Sequence, residues 1–405
     1  MSINLLFLEV LNAAINNREF DVKSPISLSE YGELLNLAEK HKLLPLVFDK
    51  LYDTYPYDKN GLDIVKNRVK FLLYRQVMKT EQIVRLYQDF SANNILPMIF
   101  KGIVCSFVYP KPDLRISSDE DILVSDGDFQ TCVKVLNDNG FLPDDTVNNC
   151  EDHLTFRNDQ QLNVELHKKL FVRDESFYKG YNDLFSNVYD NGVFININSV
   201  DIRTFNYTEN LLYLILHSLK HFIERGVGIR QFCDIILFAD KYETYIDWDK
   251  LYSGCVSLNA QYYAAAIFKI GKNYLGKDIE IFHSNKNWSK IETDETLLLD
   301  DVLSGGIYGK VSDSQTLSGV FSLSMLKNDN NGILKMIFCS SKNLNEKYAY
   351  AKRCPILLPI AWVHRFFFSM TGKDRQKAHV VIESMRIGKR RSKLFDIYKI
   401  KRNTP

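Results

Sequence analysis

Two aspartates separated by one residue offer the first chemistry in this 405-residue chain. They lie in the stretch Arg115-Ile116-Ser117-Ser118-Asp119-Glu120-Asp121-Ile122-Leu123-Val124. In an extended chain, residues two apart project from the same face, so Asp119 and Asp121 stand side by side while Glu120 points away. Paired carboxylates repel unless a cation neutralises them. A hard divalent ion, Mg²⁺ or Mn²⁺, takes such oxygen ligands together with substrate phosphates. Further along, Val164-Glu165-Leu166-His167 alternates so that Glu165 and His167 share one face. Glu165 is then a third carboxylate for the same ions. Ahead of the pair, Lys101-Gly102 ends one apolar run and opens a helix. A glycine at a helix N-terminus admits phosphate, and the lysine adds a point charge. Arg115 leads into the pair and is placed to hold a phosphate or to orient an aspartate.

These groups need a sheet to hold them. Ile95 to Phe100, with Pro97 near its start, reads as a buried strand. A short helix follows through Tyr109, then a Pro110-Lys111-Pro112-Asp113 turn and a strand from Asp121 to Val124. Asp128 caps a helix to Asn139, with Gly140 beyond its end. Phe141-Leu142 starts another strand, and His153–Phe156 with Leu162–His167 forms a hairpin turning near Asn158-Asp159-Gln160. Residues 95–205 therefore make a small α/β unit with further strands after the hairpin. Helices flank it. Before it come an apolar face on Leu5, Leu6, Leu8, Val10 and Leu11, a helix opening at the cap-like Ser27-Leu28-Ser29-Glu30, and a long helix from Leu62 to Phe90. After it come one stripe on Leu211, Leu212, Leu214, Ile215 and Leu219, and another on Phe232, Ile235, Ile236 and Phe238. Ile279 to Phe282 is predicted to be briefly extended. The fold class is α+β: a small mixed sheet with helical regions at 1–94 and 206–405.

The order strand-Lys101-Gly102-helix, then Arg115-x-x-x-Asp119-x-Asp121-Ile122-x-x, then a hairpin ending Val164-Glu165-Leu166-His167, resembles the nucleotidyltransferase superfamily with the DNA polymerase beta-type palm. Within it the chain is similar to the bacterial uncharacterised nucleotidyltransferase family, which has this lysine-glycine form. His153 matches a histidine of that family's hairpin, and His217-x-x-x-His221 through Arg230-x-x-x-Asp234 resembles its helical part. The likeness spans most of residues 30 to 370, with its specific motifs between 100 and 170. It implies a palm at 95–205, with Asp119, Asp121 and Glu165 as catalytic metal ligands for Mg²⁺ or Mn²⁺. Lys101, Gly102, Arg115, His153 and His167 are then substrate-binding residues, and the reaction passes a nucleoside monophosphate from an NTP to an acceptor hydroxyl. The chain departs from the wider superfamily in having Lys101-Gly102 where a glycine-serine pair binds the triphosphate; Ser106 lies a turn further along. Two competing readings are a non-catalytic nucleotide-binding or scaffold protein that keeps the palm, and the nucleotidyltransferase-like half of a toxin–antitoxin pair.

Composition narrows the partners. Lys+Arg 51 against Asp+Glu 50 leaves a formal charge of +1, so no global field favours long nucleic acid, and the acceptor is expected to be a small molecule or a protein. Seven scattered cysteines form no CxxC pair and read as reduced thiols in a cytoplasmic protein. The start of the chain reads as an amphipathic helix rather than a signal peptide, and no stretch is long enough for a membrane span. His217 and His221 share a helical face and read as packed, hydrogen-bonded histidines. Arg230 and Asp234 read as an intrahelical ion pair. Gly305-Gly306-Ile307-Tyr308-Gly309-Lys310 fails the P-loop spacing and reads as a loop. Pro355 to Phe368, beside a basic stretch from Arg386 to Arg402, reads as a helix buried against the C-terminal part with a solvated charge run behind it. Peripheral or partner contact through 355–402 is the alternative.

Overall fold

Local signals start the N-terminal helices. Ser27 and Glu30 form a capping box, each accepting the other's backbone N–H. It opens α2 (Leu28–Lys40), which packs with α1 (Ile3–Ile15) and α3 (Leu44–Thr54). The long helix α4 (Asp63–Ala92) buries Ile83, Leu86, Tyr87 and Phe90, but also Gln76, Lys79 and Thr80. Polar groups inside a packed face need partners, and those of Gln76 and Lys79 lie in the segment leading into the sheet. The computed structural model describes every residue except 1, 22–24, 56–58, 145–149, 151, 172–179, 225, 306–349, 352–356, 363–385 and 401–405.

Five strands form the central sheet: β1 (Met98–Phe100), β2 (Asp119–Leu123), β3 (Leu142–Pro143), β4 (His153–Arg157) and β5 (Asn163–His167), in the order β1-β2-β5-β4-β3. Only β2 and β5 pair in parallel, so the sheet is mixed. The α5 helix (Gly102–Ser106) joins β1 to the segment before β2 and ends earlier than the sequence suggests. The α6 helix (Phe129–Asp138) follows Asp128 as expected, yet the Asp128 carboxylate accepts the Ser125 hydroxyl instead of capping the helix. The β4–β5 hairpin turns where expected, the Asn158 side-chain oxygen accepting the N–H groups of Gln160 and Leu162. A second hairpin, β6 (Val193–Ile197) and β7 (Val200–Thr204), forms its own two-stranded sheet, with β7 packed beside β1. Asn198 and Ser199 both have positive φ, 50° and 67°, as a two-residue type I′ turn requires.

The C-terminal part is helical, with α8 (Ile229–Lys241) and α9 (Trp248–Ser257) packed on α7 (Tyr207–Glu224), and α10 (Gln261–Leu275) on α8. Both apolar stripes read from the sequence are buried there. The expectation of an extended Ile279–Phe282 is corrected: Glu280–Ser284 is a short helix, α11, and Phe282 packs on Trp248, Phe268 and Trp288. A four-residue apolar run has no period that separates the two states. After α12 (Thr296–Gly305), a helix over 386–397, α13, carries most of the basic stretch. Arg386, Lys389, Arg390 and Lys393 are exposed, as a solvated charge run requires, but Arg391 and the apolar face are not. Arg391 is 1% exposed with its Nε 3.4 Å from Asp301 Oδ2, and Leu394, Phe395 and Tyr398 are buried. The expected loop at 306–310 lies outside the described residues, as do 355–356 and 363–368 of the aromatic segment.

One buried cluster runs through all three regions. Asn12 of α1 and Asn16 just past its end donate to the carbonyls of Tyr274 and Leu275 at the end of α10, tying the first helix to the C-terminal part. Among the described residues Cys105, Cys132, Cys233 and Cys255 are free and buried, and Cys150 is free and exposed; Cys339 and Cys354 lie outside them. No described helix is long and apolar enough to cross a membrane.

Candidate active site

Strand register assembles the site. Asp121 is opposite Glu165 across the parallel β2–β5 pair, and His153 is opposite His167 across β4–β5. Directly paired residues project from one face of a sheet. Asp119, Asp121, Glu165, His167 and His153 therefore line a single cleft of about 410 Å³, walled on its other side by α7 and α8. That volume lies in the range of small-ligand sites. His153 and His167 do touch across the hairpin, ring centroids 4.6 Å apart. His167 Nε2 sits 3.2 Å from Asp121 Oδ1, and His153 Nε2 sits 3.3 Å from Glu165 Oε2. Burial alone would raise the Glu165 carboxyl, but hydrogen bonding from His153 and His167 and the charges of His167 and Lys101 hold it well below the usual range. Burial opposes charge on His167 too, and Asp121 with Glu165 reverses that effect and raises it.

Lys101 owes its position to a strained backbone. Its φ of 57° and ψ of −127° fall outside the regions favoured by L-residues, and Gly102 follows with φ 25°. Such a conformation costs about 1–3 kcal/mol and persists where packing enforces it. The kink turns the ammonium back over β2, 2.8 Å from Asp121 Oδ1 and 3.2 Å from His217 Nε2. Burial disfavours the ammonium, but Asp121 outweighs it and Lys101 stays charged. Burial and the Lys101 charge drive His217 the other way, to a neutral ring able to accept from Lys101. His221 meets it edge-to-face on α7, the two Nε2 atoms 3.1 Å apart, so these histidines are packed and hydrogen-bonded as expected.

Three expected roles change. Gly102 does line the cleft, but the N-terminus of α5 already has its anion: Glu120 Oε2 accepts the Ile103 N–H at 2.8 Å. A Cβ on Gly102 would overlap that same oxygen, so the glycine makes room for Glu120 rather than for a phosphate. Arg115 is likewise committed. Its Nε and Nη2 grip both oxygens of Asp234 at 3.1 and 2.6 Å, and its Nη1 donates to the Gly102 carbonyl. It orients an aspartate, though on α8 and not in the carboxylate pair. The predicted Arg230–Asp234 intrahelical pair is replaced by this contact. Asp234 also accepts the Tyr109 hydroxyl, while Arg230 donates to the Ile116 carbonyl and its buried Nε has no hydrogen-bond partner. A bidentate guanidinium–carboxylate match across elements outcompetes an i,i+4 pair of weaker geometry.

Several site residues gave no sequence signal. Lys42, in the turn between α2 and α3 with φ 56°, reaches the cleft and donates to the Ser118 hydroxyl at 3.1 Å. Burial, with Arg230 nearby, pushes its ammonium down to about 8. Lys79 of α4 pairs with Glu120 at 3.0 Å and donates to Ser117, whose N–H goes to Gln76. Gln76 and Lys79 thus brace the backbone from which Asp119 and Asp121 project. Lys42 is a lone lysine in a polar turn, and Gln76 and Lys79 sit on the helix face that should be apolar. No spacing rule finds them.

The mixed sheet thus carries Asp119, Asp121 and Glu165 on one face, set between helical layers. The chain belongs to the family described as uncharacterised nucleotidyltransferase, whose pattern matches residues 28–276, more than half its length. That span includes every site residue named above, Lys42 and Arg230 among them. The crystal structure of an antigenic nucleotidyltransferase-like protein from Paracoccidioides brasiliensis aligns at 16% identity over 50% of this chain and 93% of the other. Its TM-score of 0.32 is too low to bear on the site. Comparison with proteins of curated function gives no match.

Proposed function

We propose that the protein transfers a nucleoside monophosphate from an NTP to an acceptor hydroxyl and releases pyrophosphate. The observation that carries this reading is the shared face of Asp119, Asp121 and Glu165, in one cleft with the cations Lys42, Lys101 and Arg230. The carboxylate set suits Mg²⁺ or Mn²⁺. Asp121 is almost fully buried and already has an ammonium against it, so positive charge is what this position demands. An ion held by Asp119, Asp121 and Glu165 would supply charge neutralisation at the reacting phosphate.

The chain's own groups do the rest. Lys42 and Arg230 take the phosphates from the two helical regions, in place of the glycine-serine pair. Ser118, bonded to Lys42, adds a hydroxyl at the same end. Glu165 is held ionised, which fits a ligand better than a proton acceptor. The acceptor oxygen attacks the α-phosphorus, the bond to the departing pyrophosphate breaks in line, and the hydroxyl proton goes to solvent. Positioning and electrostatic stabilisation supply most of the rate. The even charge balance supports a small-molecule or protein acceptor over long nucleic acid.

The test is incubation with Mg²⁺ and labelled NTPs, following pyrophosphate release and labelled product. Asp121→Asn is expected to abolish both. Equal turnover in that variant would sink the reading, and wild-type protein that shows no metal-dependent nucleotide binding would replace it with a scaffold role.

A further inference from the structure

Imidazole is a poor ligand for Mg²⁺, yet two histidines converge on the carboxylates of this cleft. His153, Glu165 and His167 each offer one donor atom, all within 4.8 Å of one another. His153 Nε2 is 3.3 Å and His167 Nε2 3.6 Å from the same Glu165 oxygen, and His167 Nε2 is 3.2 Å from Asp121 Oδ1. These spacings are long for charge-assisted hydrogen bonds, which run about 2.7–2.9 Å. They match the edges of a metal tetrahedron: donors at about 2.0–2.1 Å from one ion lie about 3.3–3.4 Å apart. Octahedral Mg²⁺ would set adjacent oxygens about 2.9 Å apart and would want no nitrogen.

We propose that His153, Glu165 and His167 form a centre for a divalent transition-metal ion, its remaining position open to the cleft; it shares Glu165 with the oxygen-only site proposed for Asp119, Asp121 and Glu165 but differs from it in ligand chemistry. Imidazole with carboxylate suits the zinc and cobalt end of the divalent series, where affinity also exceeds that for manganese. His153 and Glu165 are partly exposed, 19% and 29%, so the centre opens to the cleft. The proposal refines the metal dependence of the transfer reading, and its catalytic meaning rests on that reading; the binding does not.

The experiment titrates the full-length protein with Co²⁺ and records its visible absorption. One equivalent is expected to give the intense bands of a low-coordinate, nitrogen-ligated ion, to resist a large excess of Mg²⁺ and to yield to Zn²⁺. His153→Asn and His167→Gln, each checked for a wild-type melting profile, are expected to weaken binding at least about tenfold. Absence of the bands, displacement by equimolar Mg²⁺, or equal affinity in His153→Asn overturns the centre. If cobalt binds as described while no nucleotide is bound or transferred with any ion, the centre stands and the transfer reading falls. If Mg²⁺ alone supports full transfer and no cobalt binds, the transfer reading stands and the centre falls.

Discussion

The two faces of β2 hold the same kind of group to opposite ends. Asp119 and Asp121 look into the cleft, and Glu120, between them, looks into the protein. Glu120 is 0% exposed and fully engaged, by Lys79, by the Ser117 hydroxyl and by the Ile103 N–H. Asp119 is half-buried at the open side, and Asp121 leans on Lys101 and His167. A carboxylate can thus be a structural anion one residue away from a carboxylate that faces the open cleft. What separates the roles is whether the neighbouring elements satisfy its oxygens from inside.

Glu120→Ala tests the inner face, and its effect should be largest. It strands the Lys79 ammonium and the Ile103 N–H in the core, an expected loss of about 3–5 kcal/mol in urea unfolding. A loss below about 1 kcal/mol would erase the contrast between the faces. Asp119→Asn tests the outer face. Transfer is expected to fall at least about a hundredfold, comparable to losing a transition-state contact, while stability stays within about 1 kcal/mol. A variant that unfolds instead would make Asp119 structural like Glu120. Gly102→Ala pushes a methyl into the Glu120 carboxylate and should cost about 1–3 kcal/mol, read as a lower melting temperature. A neutral result would show that Glu120 can move, and with it the brace beneath the aspartates.

The smallest effect concerns pH. Lys42 carries its charge below its value of about 8 and loses it above. Binding that needs the cation is therefore complete at lower pH and declines as pH rises through 8. The profile of kcat/KM for the NTP, which reports on the free protein, should fall about tenfold per pH unit beyond that point. Lys42→Arg, with a guanidinium that stays charged, should flatten the fall. An unchanged profile would remove Lys42 from the phosphate end.

The sequence shows the cleft face of the sheet well, because alternation is a local rule. Asp119, Asp121, Glu165 and His167 follow from period two alone, and His153 from the hairpin it shares with His167. What it hides comes from long-range pairing. Arg115 meets Asp234 over a separation of 119 residues, so nothing near either could show that the i,i+4 partner at Arg230 would lose. Gly102 looks like a phosphate glycine until Glu120, 18 residues on, is seen filling its space. Arg391 looks as solvated as its exposed basic neighbours for the same reason: the acid that receives it is Asp301. Among strands, the β6–β7 hairpin carries little local signal, because Asn198-Ser199 lacks the glycine that usually marks a type I′ turn.

The Arg115–Asp234 clasp works as a rivet. With Tyr109 on the same aspartate and Arg230 on the Ile116 carbonyl, it pins α8 to the backbone just ahead of β2. The gap between the carboxylate face of the sheet and the helical wall is then spanned by side chains bonded across it. On the proposed transfer reading, an opening bridged in this way would sort acceptors by their girth before any chemistry does.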